Sequence, residues 1–301
     1  MLIQKSETPA LDALRVAGRI ASAVRTAGVA LVLPGARLLD VCASVEDHIA
    51  RLGGQAAFPV QTSVNEVAAH DCPGPDDQRR YARGDLAKLD IGVHLDGWVV
   101  DTAITIEVGT PATRHALILA AREALEAGIA AAGPDVLVRS LSAAIAAAIR
   151  AAGFRPMRNL CGHGVGRYTV HCPPAIPNEP DEGHERLRAG SAVAIEPFAT
   201  DGPGLVGELG VAEVFRVDPH FDATQPGFEP VLAQIRALRG LPFARRQLRG
   251  ERVLLEATLD WLRGRRALGA YPPLVEATGQ RVAQAEHTLW IDANGVEVLT
   301  R

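Results

Sequence analysis

The sequence predicts an α+β fold built from two copies of one helix–helix–strand unit, on three observations. Two apolar runs each begin just after a glycine and close on a carboxylate, Gly84 to Asp90 and Gly190 to Glu196. Laid over one another at an offset of 106 positions, they place Leu89 on Ile195 and Asp90 on Glu196. Two helical patterns precede each run, and Ile49 and Gly53 recur as Ile149 and Gly153. Such a repeat folds as two similar halves. An acid closing an apolar run is costly to bury without a positive partner. Found twice in register, it suggests two half-domains that present carboxylates to a shared centre.

A chain of 301 residues suffices for one large domain or two modest ones. With 48% apolar and 22% charged residues it has ample material for a core. A net charge of −4 gives no reason to expect a specific DNA partner. The longest uncharged stretch near the start, Thr26 to Ala36, is too short to span a bilayer and contains Pro34, so no membrane partner is expected. No basic leader followed by an apolar stretch and cleavage site opens the chain. Cys42, Cys72, Cys161 and Cys172 show neither metal-type pairing nor a disulfide framework, and suit a reducing compartment. The expected location is cytoplasmic.

Leu11, Leu14, Ala17, Ile20, Ala21 and Val24 have helical spacing over residues 10–32, which Pro34-Gly35 ends. A second helix runs from about Arg37, with Leu38, Val41, Val45 and Ile49 on one face, to Gly53-Gly54. Residues 58–83 carry three prolines and read as irregular, with His70 among small apolar neighbours. Residues 86–94 and 98–107 then read as a hairpin around Asp96-Gly97. A two-residue loop there sets Asp101 opposite Gly92, with Asp90 its diagonal neighbour at about 7–8 Å and room for an ion over Gly92. Helices follow over 111–132 and 137–152, then a glycine-rich string from Asn159 to His171 and the Glu196 strand.

Residues 205–275 break the repeat. Within them 231–269 reads as helical, and nine arginines stand against three acids from Ile235 to Ala270. A hairpin around Asn294-Gly295 closes the chain, with Glu286 in its first strand. The organisation expected is one catalytic domain over 1–301 with a helical insertion subdomain at 205–275.

Five groups are candidate ligands: Asp90, Asp101, His163, Glu196 and Glu286. Four carboxylates converge in a core only if neutralised, because like charges raise one another's pKa. Two divalent cations about 3.5–4 Å apart would neutralise them, activate water and polarise a carbonyl. Oxygen-rich ligation with one imidazole suits Mn, Fe or Co better than a thiolate-type zinc site. Any one of these acids alone is more often a surface or ion-paired residue.

The order of the five, with His163 in Gly-His-Gly, Glu196 in Ile-Glu-Pro-Phe-Ala-Thr and Glu286 in Gln-Ala-Glu-His-Thr, resembles the methionine aminopeptidases. The insertion between the two glutamates is similar to that of the type II subfamily in its archaeal-length form. The resemblance covers nearly the whole chain. It implies the pita-bread fold, with duplicated halves and a helical insertion, and hydrolytic removal of an initiator methionine. It further implies two divalent metal ions (Co, Mn, Fe or Zn) on Asp90, Asp101, His163, Glu196 and Glu286. Glu196 would also move protons, and His171 would hydrogen-bond the substrate carbonyl. His70 would line the cleft near the leaving group, and Phe58, Phe198 and Tyr271 would wall the methionine pocket. The N-terminal methionine of nascent chains would be the partner of a monomeric enzyme. The arginine-rich insertion raises docking on ribosomal RNA against the commoner reading of a solvated helix face.

Departures from the family pattern are Asp71-Cys72-Pro73 after His70, Ala285 before Glu286, and Gly164-Val165-Gly166 in a type I manner. They bear on the pocket rim and on preference beyond methionine. The alternatives on the same scaffold are an Xaa-Pro dipeptidase, which uses the same five ligands, and a non-catalytic binding protein.

Overall fold

The computed structural model describes residues 9–110 and 115–301. In the first half, α1 (Pro9–Val29) and α2 (Leu38–Arg51) cover one face of a sheet made of β1 (Gln55–Ala56), β2 (Gln61–Val64), β4 (Leu86–Leu95) and β5 (Trp98–Glu107). A short strand, β3 (Val67–Ala69), follows β2. Leu14, Ile20 and Val24 of α1 pack with Leu89, Ile91 and Val93 of β4 in one buried cluster, the apolar stripe that helical spacing puts on one side. In the second half α3 (Ala116–Ala131) and α4 (Val138–Ala151) do the same. Their partner sheet runs in the order β18-β17-β9-β7-β8. These strands are β7 (Cys161–Gly166), β8 (Thr169–Pro177), β9 (Ser191–Ile195), β17 (His287–Asp292) and β18 (Gly295–Val298). Leu141, Ile145 and Ile149 of α4 meet Val193 and Ile195 of β9 there. The helix expected over 111–132 begins at Ala116 in the structure, and 111–114 lie outside the described residues.

The halves are stitched together along β5. An isolated bridge joins Ile104 to Ala285. The backbone N–H of Asp101 donates to Thr288 Oγ1 at 2.7 Å, and that hydroxyl donates to the Asp101 carbonyl at 2.8 Å. Two minor strands, β6 (Arg155–Pro156) and β10 (Phe198–Thr200), form a further sheet with β16 (Val282–Gln284).

The segment 205–275 is mixed rather than continuously helical. It contains β11 (Val206–Glu208), β12 (Val214–Val217), α5 (Glu229–Ala237), β13 (Phe243–Ala244), α6 (Arg252–Gly264), β14 (Leu268–Tyr271) and β15 (Leu274–Glu276). The helical pattern over 231–269 breaks at Arg239 and Gly240, whose φ angles of 55° and 91° no helix allows. Beyond them β13 joins β12. Phe215 and Val217 pack with Leu232, Ile235, Leu259 and Leu262 in a core of the segment's own. Arg246 ties the segment to α2 by a paired contact to Glu46, at 2.5 and 2.8 Å.

Three other readings change. Residues 58–83 contain β2 and β3: β2 is buried at its first three positions and so shows no alternation. The strand expected over 86–94 runs one residue further, to Leu95, and Asp90, on which the apolar run closes, sits in its middle. The closing turn is Ala293–Asn294, with Asp292 paired to Gly295, one residue earlier than expected. The first hairpin has the expected register, Gly92 opposite Asp101 and Leu95 opposite Trp98.

Close approach explains two of the glycines around His163. A Cβ on Gly164 would lie 2.4 Å from the Pro173 carbonyl oxygen and 2.9 Å from that of Cys172, both backbone atoms of β8. A Cβ on Gly162 would lie 2.4 Å from the Ala194 carbonyl. One on Gly166 would meet nothing nearer than the Thr169 Cβ at 3.8 Å. Gly164→Ala is therefore expected to lower stability by about 1–3 kcal/mol, the usual cost of overpacking. Gly166→Ala should stay within about 0.5 kcal/mol. Denaturant melts of the two variants check this, and equal midpoints would refute it.

Candidate metal centre and substrate cavity

A cavity of about 630 Å³ opens between the halves and the insertion segment. Asp90 on β4, Asp101 on β5, His163 on β7 and Glu196 just after β9 line its floor. Glu286 lies in the break between β16 and β17 and is 1% exposed. Each is held by backbone contacts from a different element. The Glu286 N–H donates to the Ala103 carbonyl at 3.0 Å, and Thr102 Oγ1 donates to the Glu286 carbonyl at 2.9 Å. Asn178, fully buried, donates to the Glu196 carbonyl at 3.2 Å and accepts from the Phe198 N–H at 2.6 Å.

The five side chains converge. Oxygen or nitrogen atoms of Asp101, His163 and Glu286 all lie within 4.8 Å of one another. His163 Nε2 is 3.5 Å from Glu196 Oε1 and 3.9 Å from Asp101 Oδ2. Its Nδ1 is 3.1 Å from the Gly164 carbonyl, a contact in which Nδ1–H donates and Nε2 keeps a free lone pair. Asp90 and Asp101 are within hydrogen-bonding reach of each other, and Gln284 Nε2 donates to Glu196 Oε2 at 3.2 Å.

The electrostatics are those of a site missing its counter-charge. Burial raises Asp90 to about 7, against the hydrogen bonds from Asp101, Gln284 and the Ile91 backbone that pull it down. Burial, followed by the charges of Asp90 and Glu196, pushes Asp101 well above the usual carboxylate range. Burial and then Asp90 do the same to Glu196, and burial and then Asp101 to Glu286. Burial lowers His163 to about 3, so its imidazole is neutral. Among the described residues, four buried carboxylate oxygens of this site have no hydrogen-bond partner: Asp90 Oδ1, Asp101 Oδ1 and both oxygens of Glu286. Orphaned buried acceptors are costly. A hard or intermediate cation satisfies all of them together with the free imidazole nitrogen. The donor set therefore fits divalent metal.

A pH dependence follows. The folded protein without metal holds these protons more tightly than the unfolded chain, whose Asp titrates near about 3.9. That contribution to stability is present at low pH and lost as pH rises through about 7 for Asp90. A cation needs the ionised carboxylates and displaces the protons. The rise in Tm on adding Mn²⁺ to chelator-treated protein should thus be larger at pH 8 than at pH 5.5. Equal increments would contradict the arrangement.

The other anticipated residues line the same cavity: His70, His171, Phe58, Phe198 and Tyr271. The His171 ring stands edge-on to His163 with centroids 4.2 Å apart, and His70 stands edge-on to Tyr271 at 5.8 Å. Burial lowers His70 to about 4, and partial desolvation with the charge of Arg216 lowers His171, itself exposed, so both are neutral near pH 7. The space over Gly92 is not an ion site. A Cβ there would lie 2.2 Å from Phe58 Cε1, so the phenyl ring fills it.

Sequence patterns did not single out Gln284, Asn178 or Lys88. Lys88 is 1% exposed, and its Nζ donates to the carbonyls of Asn65 at 2.8 Å and Val282 at 3.0 Å, tying β4 to β16. A lysine inside an apolar strand run was the available signal for it, and Gln284 stands two residues before Glu286. Asn178 had none.

Residues 12–219 match metallopeptidase family M24. A methionine aminopeptidase of Pyrococcus horikoshii is 41% identical over 297 residues, 96% of this chain and 99% of that one. Among solved structures, a methionine aminopeptidase of Thermotoga maritima superposes with a TM-score of 0.72 at 23% identity, covering 100% of both chains. A thermophilic Arx1 superposes at 0.85 and 17% identity, over 98% of this chain and 91% of that one; likeness at such identities shows the fold alone. The fold is the pita-bread fold, an α+β scaffold of duplicated halves. The chain belongs to metallopeptidase family M24, and its relatives matched end to end are methionine aminopeptidases. Among the described residues no helix is long and apolar enough to cross a membrane.

Proposed function

We propose that this chain is a methionine aminopeptidase that hydrolyses the first peptide bond of proteins and peptides beginning with methionine. One observation carries this: acids and an imidazole from both halves meet with their buried oxygens orphaned, in a chain 41% identical end to end to such an enzyme. Asp90, Asp101, His163, Glu196 and Glu286 would hold two divalent ions, Co, Mn, Fe or Zn. Those ions supply Lewis acidity that activates a water and polarises the scissile carbonyl. Glu196 accepts a proton from the attacking water and returns one to the leaving amine. His171 donates its N–H to the substrate carbonyl oxygen as negative charge develops. His70 lines the leaving-group side, and Phe58, Phe198 and Tyr271 wall the methionine side chain.

The domain reading that goes with this is one catalytic domain over 1–301, with 205–275 as an insertion subdomain built around its own core. Monomeric state and cytoplasmic location belong to the same proposal. Five of the nine insertion arginines pair with carboxylates, namely Arg236, Arg245, Arg246, Arg252 and Arg263. Docking on ribosomal RNA would rest on the others, and co-sedimentation that ignores both salt and arginine neutralisation would end that idea.

Purified protein given Mn²⁺ or Co²⁺ should release methionine from Met-Ala-Ser and leave Ala-Pro intact. Cleavage of Ala-Pro instead would make the chain a dipeptidase, and cleavage of neither with any divalent metal would make it a binding protein.

A further inference from the structure

One cavity residue has no part in the chemistry above. Strand β12 alternates its faces: Phe215 and Val217 enter the insertion core, whereas Val214 and Arg216 line the cavity. The pleat thus turns a guanidinium toward the substrate space. Opposite Arg216 on β14 stands Gly269, which has no side chain to fill the place. Arg216 Nε donates to the Gly240 carbonyl at 2.8 Å, which fixes the plane of the fork. Gly240 also lines the cavity and sits in the tight turn that carries Arg239, at φ 91° and 55°. Among the described residues no carboxylate forms an ion pair with Arg216, although its side chain is exposed. Its charge is felt at His171, the residue placed against the scissile carbonyl. Arg239, the residue before cavity-lining Gly240, is held over the Tyr168 ring at 3.8 Å.

We infer that Arg216 makes the enzyme prefer substrates with an acidic side chain in the third or fourth residue, on the reading of the site as a methionine aminopeptidase. With methionine on the cavity floor and its carbonyl at His171, the rest of the peptide runs along the cavity wall to which β12 contributes Val214 and Arg216. An extended chain advances about 3.4 Å per residue, so the third and fourth residues pass within reach of an arginine side chain. A planar fork with one N–H already engaged and two amino groups free is suited to a carboxylate. A lysine at the same place in the peptide would be repelled.

The test uses the metal-loaded full chain and C-terminally amidated peptides Met-Ala-Glu-Ala, Met-Ala-Gln-Ala and Met-Ala-Lys-Ala, with a second set carrying the variable residue fourth. Wild-type kcat/KM should favour Glu over Gln by about three- to five-fold, the size of a half-exposed ion pair. The difference should lie mainly in KM and shrink as salt is raised. Arg216→Met should bring the Glu-to-Gln ratio to about one, and R216E should reverse the order of the Glu and Lys peptides. Those ratios would not move if Arg216 served only to hold the turn. Equal wild-type cleavage of all three peptides in both sets, or a ratio unchanged in R216E, overturns the inference while the proposed activity stands. Release of methionine from none of them overturns both.

Discussion

Replacing Glu196 with glutamine is expected to lower the turnover of Met-Ala-Ser by about 10²–10⁴-fold, the contribution of a positioned proton-transfer group. The fold should survive. Glu196 is half-buried among acids, and Asp90 is the neighbour whose charge raises its pKa. A neutral amide removes that repulsion, and Gln284, which donates to Oε2 at 3.2 Å, can donate to the amide oxygen instead. The signature is therefore lost turnover in a metal-free protein no less stable than the wild type. Steady-state kinetics beside thermal melts in chelator separate the two effects. Turnover within about three-fold of wild type would remove Glu196 from the proton path.

His171→Ala should cost about 2.7–4 kcal/mol of transition-state stabilisation, about 10²–10³ in kcat, if the ring donates to the developing oxyanion. Its surroundings suit that role. The ring packs edge-on against His163 at 4.2 Å between centroids, and partial desolvation together with the charge of Arg216 lowers its pKa. A neutral imidazole carries a single N–H to aim. Because the interaction strengthens as charge develops, kcat should fall and KM should change little. An unchanged kcat would refute the assignment; a raised KM alone would make His171 a binding residue.

What could be read from residues and what could not divide along sequence distance. The Asp96-Gly97 turn fixes the pairing of Asp101 with Gly92 from two adjacent residues, because a two-residue loop leaves one register. The helices α1, α2 and α4 declare themselves through apolar spacing, since each needs only one face against a sheet. The strand β2 does not, because it is buried on both sides and shows no alternation. The turn at Arg239 and Gly240 is hidden in an otherwise helical pattern, and the strand after it forms only because β12 lies alongside. Phe58 closes over Gly92 from 34 positions away, which no local pattern announces.

The local composition and order of residues determined that two similar helix–helix–strand halves would form and that five chemistry-bearing side chains were set in a family's order. Periodicity and turn geometry act over a few residues and are legible there. Only the tertiary structure decided that Glu286 would be presented between strands by a hydrogen bond from Thr102 and one that it donates to Ala103. The same holds for the orphaned oxygens it gathers at one point and for the turning of Arg216 into the cavity by the pleat of β12. These placements depend on pairings between segments distant in the chain, where energy is settled by packing and hydrogen bonding across the fold rather than by neighbours in sequence.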